Sequence, residues 1–67
     1  MLEISVNGET REIASGDTLA GLVKTLGLDA RTVAALRNDV IVERDLFSST
    51  MLQPGDAIEL VRLVPGG

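Results

Sequence analysis

The chain ends in two glycines, Gly66 and Gly67, preceded by Val64 and Pro65. Because glycine has no Cβ, its backbone can approach a neighbouring protein closely, and the reactive group of this segment is the C-terminal carboxylate. Pro65 lacks a backbone N–H and favours extended geometry at Val64, so we expect the tail 64–67 to leave any preceding sheet. Two extended residues span about 7 Å. The tail could therefore carry a carboxylate into a channel on another protein.

A terminal glycine pair arises by chance in roughly one chain in 200, so it needs support from the rest of the sequence. The 67 residues include no His, Cys, Tyr or Trp, which excludes His-based metal sites, thiol nucleophiles and Ser-His pairs. A domain of this size has no room for a buried active site. Gly16-Asp17-Thr18 is too short to match a phosphate-binding loop. We predict a protein that is not an enzyme and binds no cofactor stably.

Ten acidic and six basic residues give a net charge of −4. This charge disfavours nucleic acid, which binds clustered Lys and Arg, and favours a basic protein surface as the partner. The lack of cysteine indicates a reducing compartment. No signal-peptide pattern begins the chain, and no apolar run approaches the roughly 20 residues that span a bilayer. We expect a cytoplasmic protein that is monomeric when free and has no membrane partner.

The first element predicted is a β-hairpin. Residues 2–6 alternate apolar and polar, Asn7-Gly8 suits a type I′ turn, and residues 9–13 form the return strand. A two-residue loop places Ile4 opposite Arg11. Either the stem of Arg11 snorkels, or a bulge shifts the register.

A helix follows the hairpin. Thr18 is a good N-cap, and Gly27 suits the position that ends a helix. Apolar residues between them recur at helical spacing. We expect this stripe to pack on Ile4, Ile58 and Leu60 of the sheet; its members are Leu19, Leu22, Val23 and Leu26.

The second half of the chain predicts further strands. Residues 33–37 are apolar on both faces, as in an interior strand, and Asn38-Asp39 turns the chain into a short strand at 40–42. We interpret 43–49 as a connector whose Phe47 fills the edge of the core.

Residues 53–56 fit a type II turn that begins the last strand, 57–63. If the even-numbered apolar residues of this strand face the helix, Val61 and Leu63 lie on the open face of the sheet. The economical architecture is a single α+β domain, 1–67, with one main helix across a mixed four- to five-stranded sheet. This is the β-grasp plan, in which the last strand runs parallel to the first.

The chain resembles the ThiS family, the sulfur carriers of thiamine thiazole biosynthesis, related to the molybdopterin synthase small subunit and to ubiquitin. The resemblance covers the whole chain, and the terminal Gly-Gly is its specific element. Two positions depart from the family pattern: Phe47 stands where members often have Trp, and Pro65 where they have a small residue. The segments that carry the resemblance are Val6-Asn7-Gly8, Ser15-Gly16-Asp17-Thr18-Leu19, Val42-Glu43-Arg44-Asp45-Leu46-Phe47, Pro54-Gly55-Asp56 and Val61-Arg62-Leu63-Val64-Pro65-Gly66-Gly67.

The resemblance implies a mechanism. ATP and Mg²⁺, bound by a ThiF-like adenylyltransferase of the E1 type, would adenylate Gly67. A sulfur donor such as a cysteine desulfurase relay would displace AMP, and the thiocarboxylate would serve thiazole synthase. The tail residues Val64, Pro65 and Gly66 would thread into the partners. Val61 and Leu63 would contact them or be ordinary residues of a thin sheet, with no preference between the two.

Three other functions share these features. A molybdopterin synthase small subunit ends in the same way but is usually longer, and the compact hairpin and short connectors favour the thiamine branch. A ubiquitin-like tag would require conjugates on lysines. A β-grasp regulatory or RNA-binding module would share the fold, but the acidic charge and the tail argue against it.

Overall fold

A computed structural model of the chain describes residues 1–63. Five strands form one mixed sheet in the order β2-β1-β5-β3-β4, with β5 parallel to β1 and antiparallel to β3. The predicted α+β, β-grasp architecture is confirmed. In chain order the elements are β1 (Leu2–Val6), β2 (Glu9–Ile13), α1 (Leu19–Thr25), a first 3₁₀ helix (Ala30–Thr32), β3 (Val33–Arg37), β4 (Val40–Val42), a second 3₁₀ helix (Arg44–Ser49) and β5 (Ala57–Arg62).

The first hairpin has the predicted register. Asn7 and Gly8 have φ of 51° and 85°, in the left-handed region that a type I′ turn requires. Ile4 pairs with Arg11 in a continuous ladder, so the register is not shifted by a bulge. Arg11 has the parity of the buried face, but its side chain is exposed.

Helix α1 begins and ends where the sequence predicts. The Thr18 hydroxyl accepts a hydrogen bond from the backbone N–H of Gly21 at 3.2 Å, and Gly27 follows the helix with a φ of 73°. A helix of seven residues is marginal in isolation. Its stability therefore depends on the apolar face that it buries against the sheet.

The core lies between α1 and one face of the sheet. The predicted contacts are confirmed, except that Leu26 caps the helix and is only partly buried. Phe47 is 2% exposed, as expected for a residue that fills the core edge. Leu52, which the sequence analysis did not place, is fully buried. The buried apolar residues are Ile4, Ile13, Leu19, Leu22, Val23, Val33, Ala35, Phe47, Leu52, Ile58 and Leu60.

Leu52 is buried because the segment before it folds as a 3₁₀ helix rather than as an irregular connector. Backbone hydrogen bonds from Leu19 N–H to Thr50 O, at 2.9 Å, and from Leu52 N–H to Asp17 O, at 3.0 Å, attach this segment to the start of α1. These contacts join residues far apart in the chain, so local patterning does not show them.

One buried charge organises the start of β5. Asp56 is 5% exposed, and its carboxylate accepts hydrogen bonds from Arg37 Nε at 2.8 Å, Asn38 Nδ2 at 3.0 Å and the backbone N–H of Gln53 at 2.8 Å. Burial raises the pKa of Asp56, but the hydrogen bonds from Arg37, Gln53 and Asn38 outweigh it and hold that pKa below its usual value. The carboxylate thus joins the turn before β5 to the end of β3.

The turn asparagine of the first hairpin also binds β5. Strand β1 ends at Val6, and the Asn7 side chain continues its ladder, because Asn7 Oδ1 accepts a hydrogen bond from the Leu60 N–H at 2.8 Å. The backbone N–H of Asn7 donates to Ile58 O at 2.9 Å. Asn7 therefore both forms the turn and fixes the middle of β5.

We predict that Asp56→Asn lowers the free energy of unfolding at neutral pH by about 1–3 kcal/mol, because the donors around the carboxylate lose a charged acceptor. Because the Arg37 side chain is one-third exposed, solvent screens its interaction with Asp56, and we expect the loss of stability to lie toward the lower end of this range. Urea unfolding would measure it. The exposed Asp45→Asn is the matched control, and an equal loss in both variants would contradict the assignment.

The same carboxylate makes stability depend on pH. A folded-state pKa below the ordinary value of 3.8 contributes stability above that value, and this stability is lost as the pH falls through the lower folded pKa. Unfolding curves from pH 7 into the acid range should therefore converge for the parent and Asp56→Asn. A constant difference between them at all pH values would contradict this origin.

We also predict that Asn7→Gly lowers the free energy of unfolding by about 1 kcal/mol, because glycine adopts the positive φ but offers no acceptor to Leu60. Asn7→Asp is the control, since aspartate tolerates this φ and keeps the oxygen. Thermal and urea unfolding should place Asn7→Asp nearer the parent. If the Gly variant is as stable as the Asp variant, the side-chain bond contributes nothing.

Candidate functional site

The last described residue is held at a fixed point of the fold. β5 ends at Arg62, and the Leu63 N–H donates to Thr32 O at 2.7 Å. Thr32 closes the first 3₁₀ helix, where its own N–H donates to Asp29 O at 2.9 Å. The origin of the predicted tail is therefore attached to the body of the domain.

The predicted tail residues themselves, Val64, Pro65, Gly66 and Gly67, lie outside the described residues. Attachment at Gly67 and threading of the other three thus stay predictions. The structure bears on them through the strand that leads to the tail.

That strand, β5, is bound along its whole length. It lies between β1 and β3, and one side-chain hydrogen bond supplements each of these two ladders. Asn38 Oδ1 accepts a hydrogen bond from Ala57 N–H at 2.9 Å, and Asn7 binds Leu60. The sequence predicts Asn7 and Asn38 only as turn residues and gives no signal for the role of Thr32. The sequence signal for the bonds that Asn7 and Asn38 make to β5 is only that each is an asparagine in a turn directly after a strand.

The turn that carries Thr32 is shaped by an exposed ion pair. Asp29 Oδ1 accepts from the backbone N–H of Arg31 at 2.8 Å, and Asp29 Oδ2 lies 3.0 Å from Arg31 Nη2. The side-chain hydrogen bond from Arg31 lowers the pKa of Asp29. Because both side chains are largely exposed, the pair contributes little to stability. Its effect is to shape the turn to which Leu63 is bonded.

Val61 and Leu63 are 47% and 52% exposed, as predicted. Ile58 and Leu60 are buried under α1, so the residues that alternate with them face away from the core. On the neighbouring strands this open face continues through small and apolar side chains. We call these residues the open-face patch: Ala34, Leu36, Ile41, Val61 and Leu63.

Exposed apolar groups that are contiguous indicate an interaction surface rather than ordinary surface composition. Ile41, at 68% exposed, extends the patch to the edge strand β4. The patch adjoins the point at which β5 ends. Contact with a partner at Val61 and Leu63 nevertheless stays a prediction.

Within 1–63, no three His, Cys, Asp or Glu side chains are grouped closely enough to hold a metal ion. Over the same residues, no helix has the length and apolar character needed to cross a membrane.

Comparison with known proteins supports the resemblance seen in the sequence. The model of the ThiS family matches residues 4–67. The chain is 38% identical over 66 residues to a thiazole synthase of Magnetococcus marinus and 33% identical over 66 residues to one of Paramagnetospirillum magneticum. Each match covers 98% of this chain but 20% of the relative, so the chain spans about one fifth of the length of these relatives.

A relative of similar length is the uncharacterized protein ycf40 of Pyropia yezoensis, 32% identical over 66 residues and covered over 93% of its length. Among solved structures, the crystal structure of the thiamine biosynthesis protein ThiS from Geobacter metallireducens is similar, with a TM-score of 0.84 and 28% identity. The similarity covers 98% of this chain and 100% of that one. The solution structure of a thiamine biosynthesis protein from the same organism gives a TM-score of 0.79. The chain belongs to the ThiS family.

Proposed function

We propose that this chain carries sulfur as a thiocarboxylate on Gly67 and donates it to the synthesis of the thiamine thiazole. The observation that supports this most directly is that the ThiS family match runs to residue 67 and so includes Gly66 and Gly67. The attachment of Leu63 to Thr32 adds to it, because a fixed origin gives the tail a defined direction.

The chemistry follows from the carboxylate. A carboxylate is a poor acyl donor because its leaving group would be oxide, so it must be activated first. ATP converts it to an acyl-adenylate with release of pyrophosphate, and the outer sulfur of a donor persulfide then displaces AMP to form an acyl disulfide. A thiol of the donor or of the activating partner cleaves the S–S bond, which releases the thiocarboxylate and leaves a disulfide. ATP and Mg²⁺ belong to the activating partner, a ThiF-like adenylyltransferase of the E1 type, and this chain acts as its protein co-substrate.

Thiazole synthase is the proposed recipient of the sulfur. Two relatives described as thiazole synthases match this chain over one fifth of their length, which places a carrier-like segment and the rest of the synthase in one polypeptide. Joining the two in one polypeptide raises the effective concentration of the carrier-like segment at the synthase. The adenylyltransferase and a sulfur donor such as a cysteine desulfurase relay follow from family resemblance alone, and the cytoplasm stays a prediction.

We predict that Gly66→Val abolishes adenylation while leaving the fold intact. A β-branched side chain next to the reacting residue restricts the backbone and widens the tail. The buried apolar residues of the described chain run in sequence from Ile4 to Leu60, and Gly66 comes after them. The free energy of unfolding should therefore stay within about 0.5 kcal/mol of the parent. ATP–pyrophosphate exchange with the adenylyltransferase measures the first effect, and circular dichroism with urea unfolding the second.

Deletion of Gly67 should have the same result, because it withdraws the carboxylate by about 3.5 Å. Gly66→Ala, with a smaller side chain, should retain more exchange activity than Gly66→Val. Parent-like exchange in both the Val variant and the deletion would contradict the carrier function and would favour the regulatory-module alternative.

A second prediction concerns the open-face patch. Changing Val61 and Leu63 together to Ser should weaken binding to the adenylyltransferase or the synthase with little loss of stability, since both side chains are half exposed. The matched control is Val40→Ser with Leu46→Ser, which removes a valine and a leucine of comparable exposure elsewhere on the surface. Titration calorimetry and thermal unfolding would separate the two effects. A large drop in melting temperature would show that Val61 and Leu63 stabilise the fold instead.

A further inference from the structure

The open face of the sheet carries acidic side chains on three of its strands. Glu3 on β1, Glu12 on β2 and Glu59 on β5 alternate with the buried residues of their strands and therefore belong to the open face. Within the described strands, no Lys or Arg has the parity of that face. Three basic residues have the strand parity of the buried face and three lie on helical segments: Arg11, Arg37 and Arg62, then Lys24, Arg31 and Arg44.

Two of the acidic residues lie directly opposite each other. Glu3 and Glu12 are paired in the β1–β2 ladder. Like charges in this arrangement destabilise a sheet. The ion pairs of the described residues use Asp29 and Asp56, so neither glutamate is neutralised by a cation of the domain itself. The fold thus carries a repulsive pair that does nothing for its own stability.

The acidic pair and the open-face patch lie at opposite ends of one surface. The Gly55 N–H donates to Glu3 O at 2.8 Å, which places Glu3 level with the residue two positions before β5. Val61 is six residues farther along, about 20 Å at the rise of a strand. Glu59 lies between them, one position before the buried Leu60. The surface is therefore acidic at one end and mainly apolar at the end where β5 leads to the tail.

We infer that the open face docks on thiazole synthase, whose surface meets Glu3 and Glu12 with basic side chains about 20 Å along the sheet from its contact with Val61. This inference rests on the proposed function. Charge complementarity specifies a basic partner surface opposite Glu3 and Glu12, and the lack of basic residues at the open-face positions of the strands disfavours an acidic one. The two relatives that join a similar segment to a thiazole synthase single out the synthase as the occupant.

The test compares two double variants with the same net charge. Glu3→Gln with Glu12→Gln removes two charges from the open face. Glu9→Gln with Glu43→Gln removes two exposed charges elsewhere, because Glu9 has the opposite parity on β2 and Glu43 precedes the second 3₁₀ helix. Titration calorimetry with purified thiazole synthase of the same organism gives the Kd of each, at about 50 mM salt and again at higher salt.

The open-face variant should bind the synthase at least about fivefold more weakly at low salt, and its Kd should respond less to added salt than that of the parent. The control variant should bind within about twofold of the parent. The melting temperature of the open-face variant should equal or exceed that of the parent, because the repulsion between Glu3 and Glu12 is relieved. A loss of binding could not then be a loss of folding.

Equal weakening in both variants would overturn the inference, since it would reflect net charge alone. Parent-like binding of the open-face variant would overturn it too, as would weakening seen only with the adenylyltransferase. The proposed function is tested separately in the same samples by thiocarboxylate formation on the parent chain. If the parent gains sulfur but the open-face variant binds normally, only the docking inference fails.

Discussion

The parallel pairing of β1 with β5 is the constraint on which the rest of the structure depends. It joins β1 to β5, so its formation brings together the two ends of the described chain. The ladder itself is short, with Ser5 opposite Ala57 and Val6 opposite Ile58. Polar side chains extend it: Asp56 orders the turn before β5, and Asn7 binds Leu60 beyond the end of β1. Both use charged or buried hydrogen bonds, which are costly to leave unmade.

Strand β5 lies at the centre of the sheet, and the two faces of the sheet around it differ in role. One face of the sheet is covered by α1 and supplies stability through burial of side chains such as Ile58 and Leu60. The other face is uncovered and keeps apolar groups and unpaired acidic groups exposed. The same strand leads directly to the tail. One strand therefore sets the point where the tail begins and carries part of the surface proposed for recognition, while the proposed chemistry takes place on Gly67.

Most of the architecture could be predicted because it depends on local rules. Asn7-Gly8 specifies its turn through positive φ, Thr18 caps α1, and the alternation in 57–63 separates buried from exposed residues. The 3₁₀ helices, the burial of Leu52 and the bonds made by Asp56 could not be predicted, because they join segments that only the completed fold brings together. In the sequence, Asp56 looks like an ordinary turn aspartate. Its carboxylate can be buried because Arg37, nineteen positions earlier, donates a hydrogen bond to it.

The central claim is that the terminal carboxylate becomes the carrier of sulfur. Its most direct test is the intact mass of the parent chain after incubation with ATP, a ThiF-like adenylyltransferase and a sulfur source. We expect a gain equal to the difference between one sulfur and one oxygen atom, assigned to Gly67 by fragmentation and absent without ATP. The Geobacter metallireducens ThiS protein would serve as a comparison. An unchanged mass under conditions in which that protein gains sulfur, or a gain at another residue, would contradict the account.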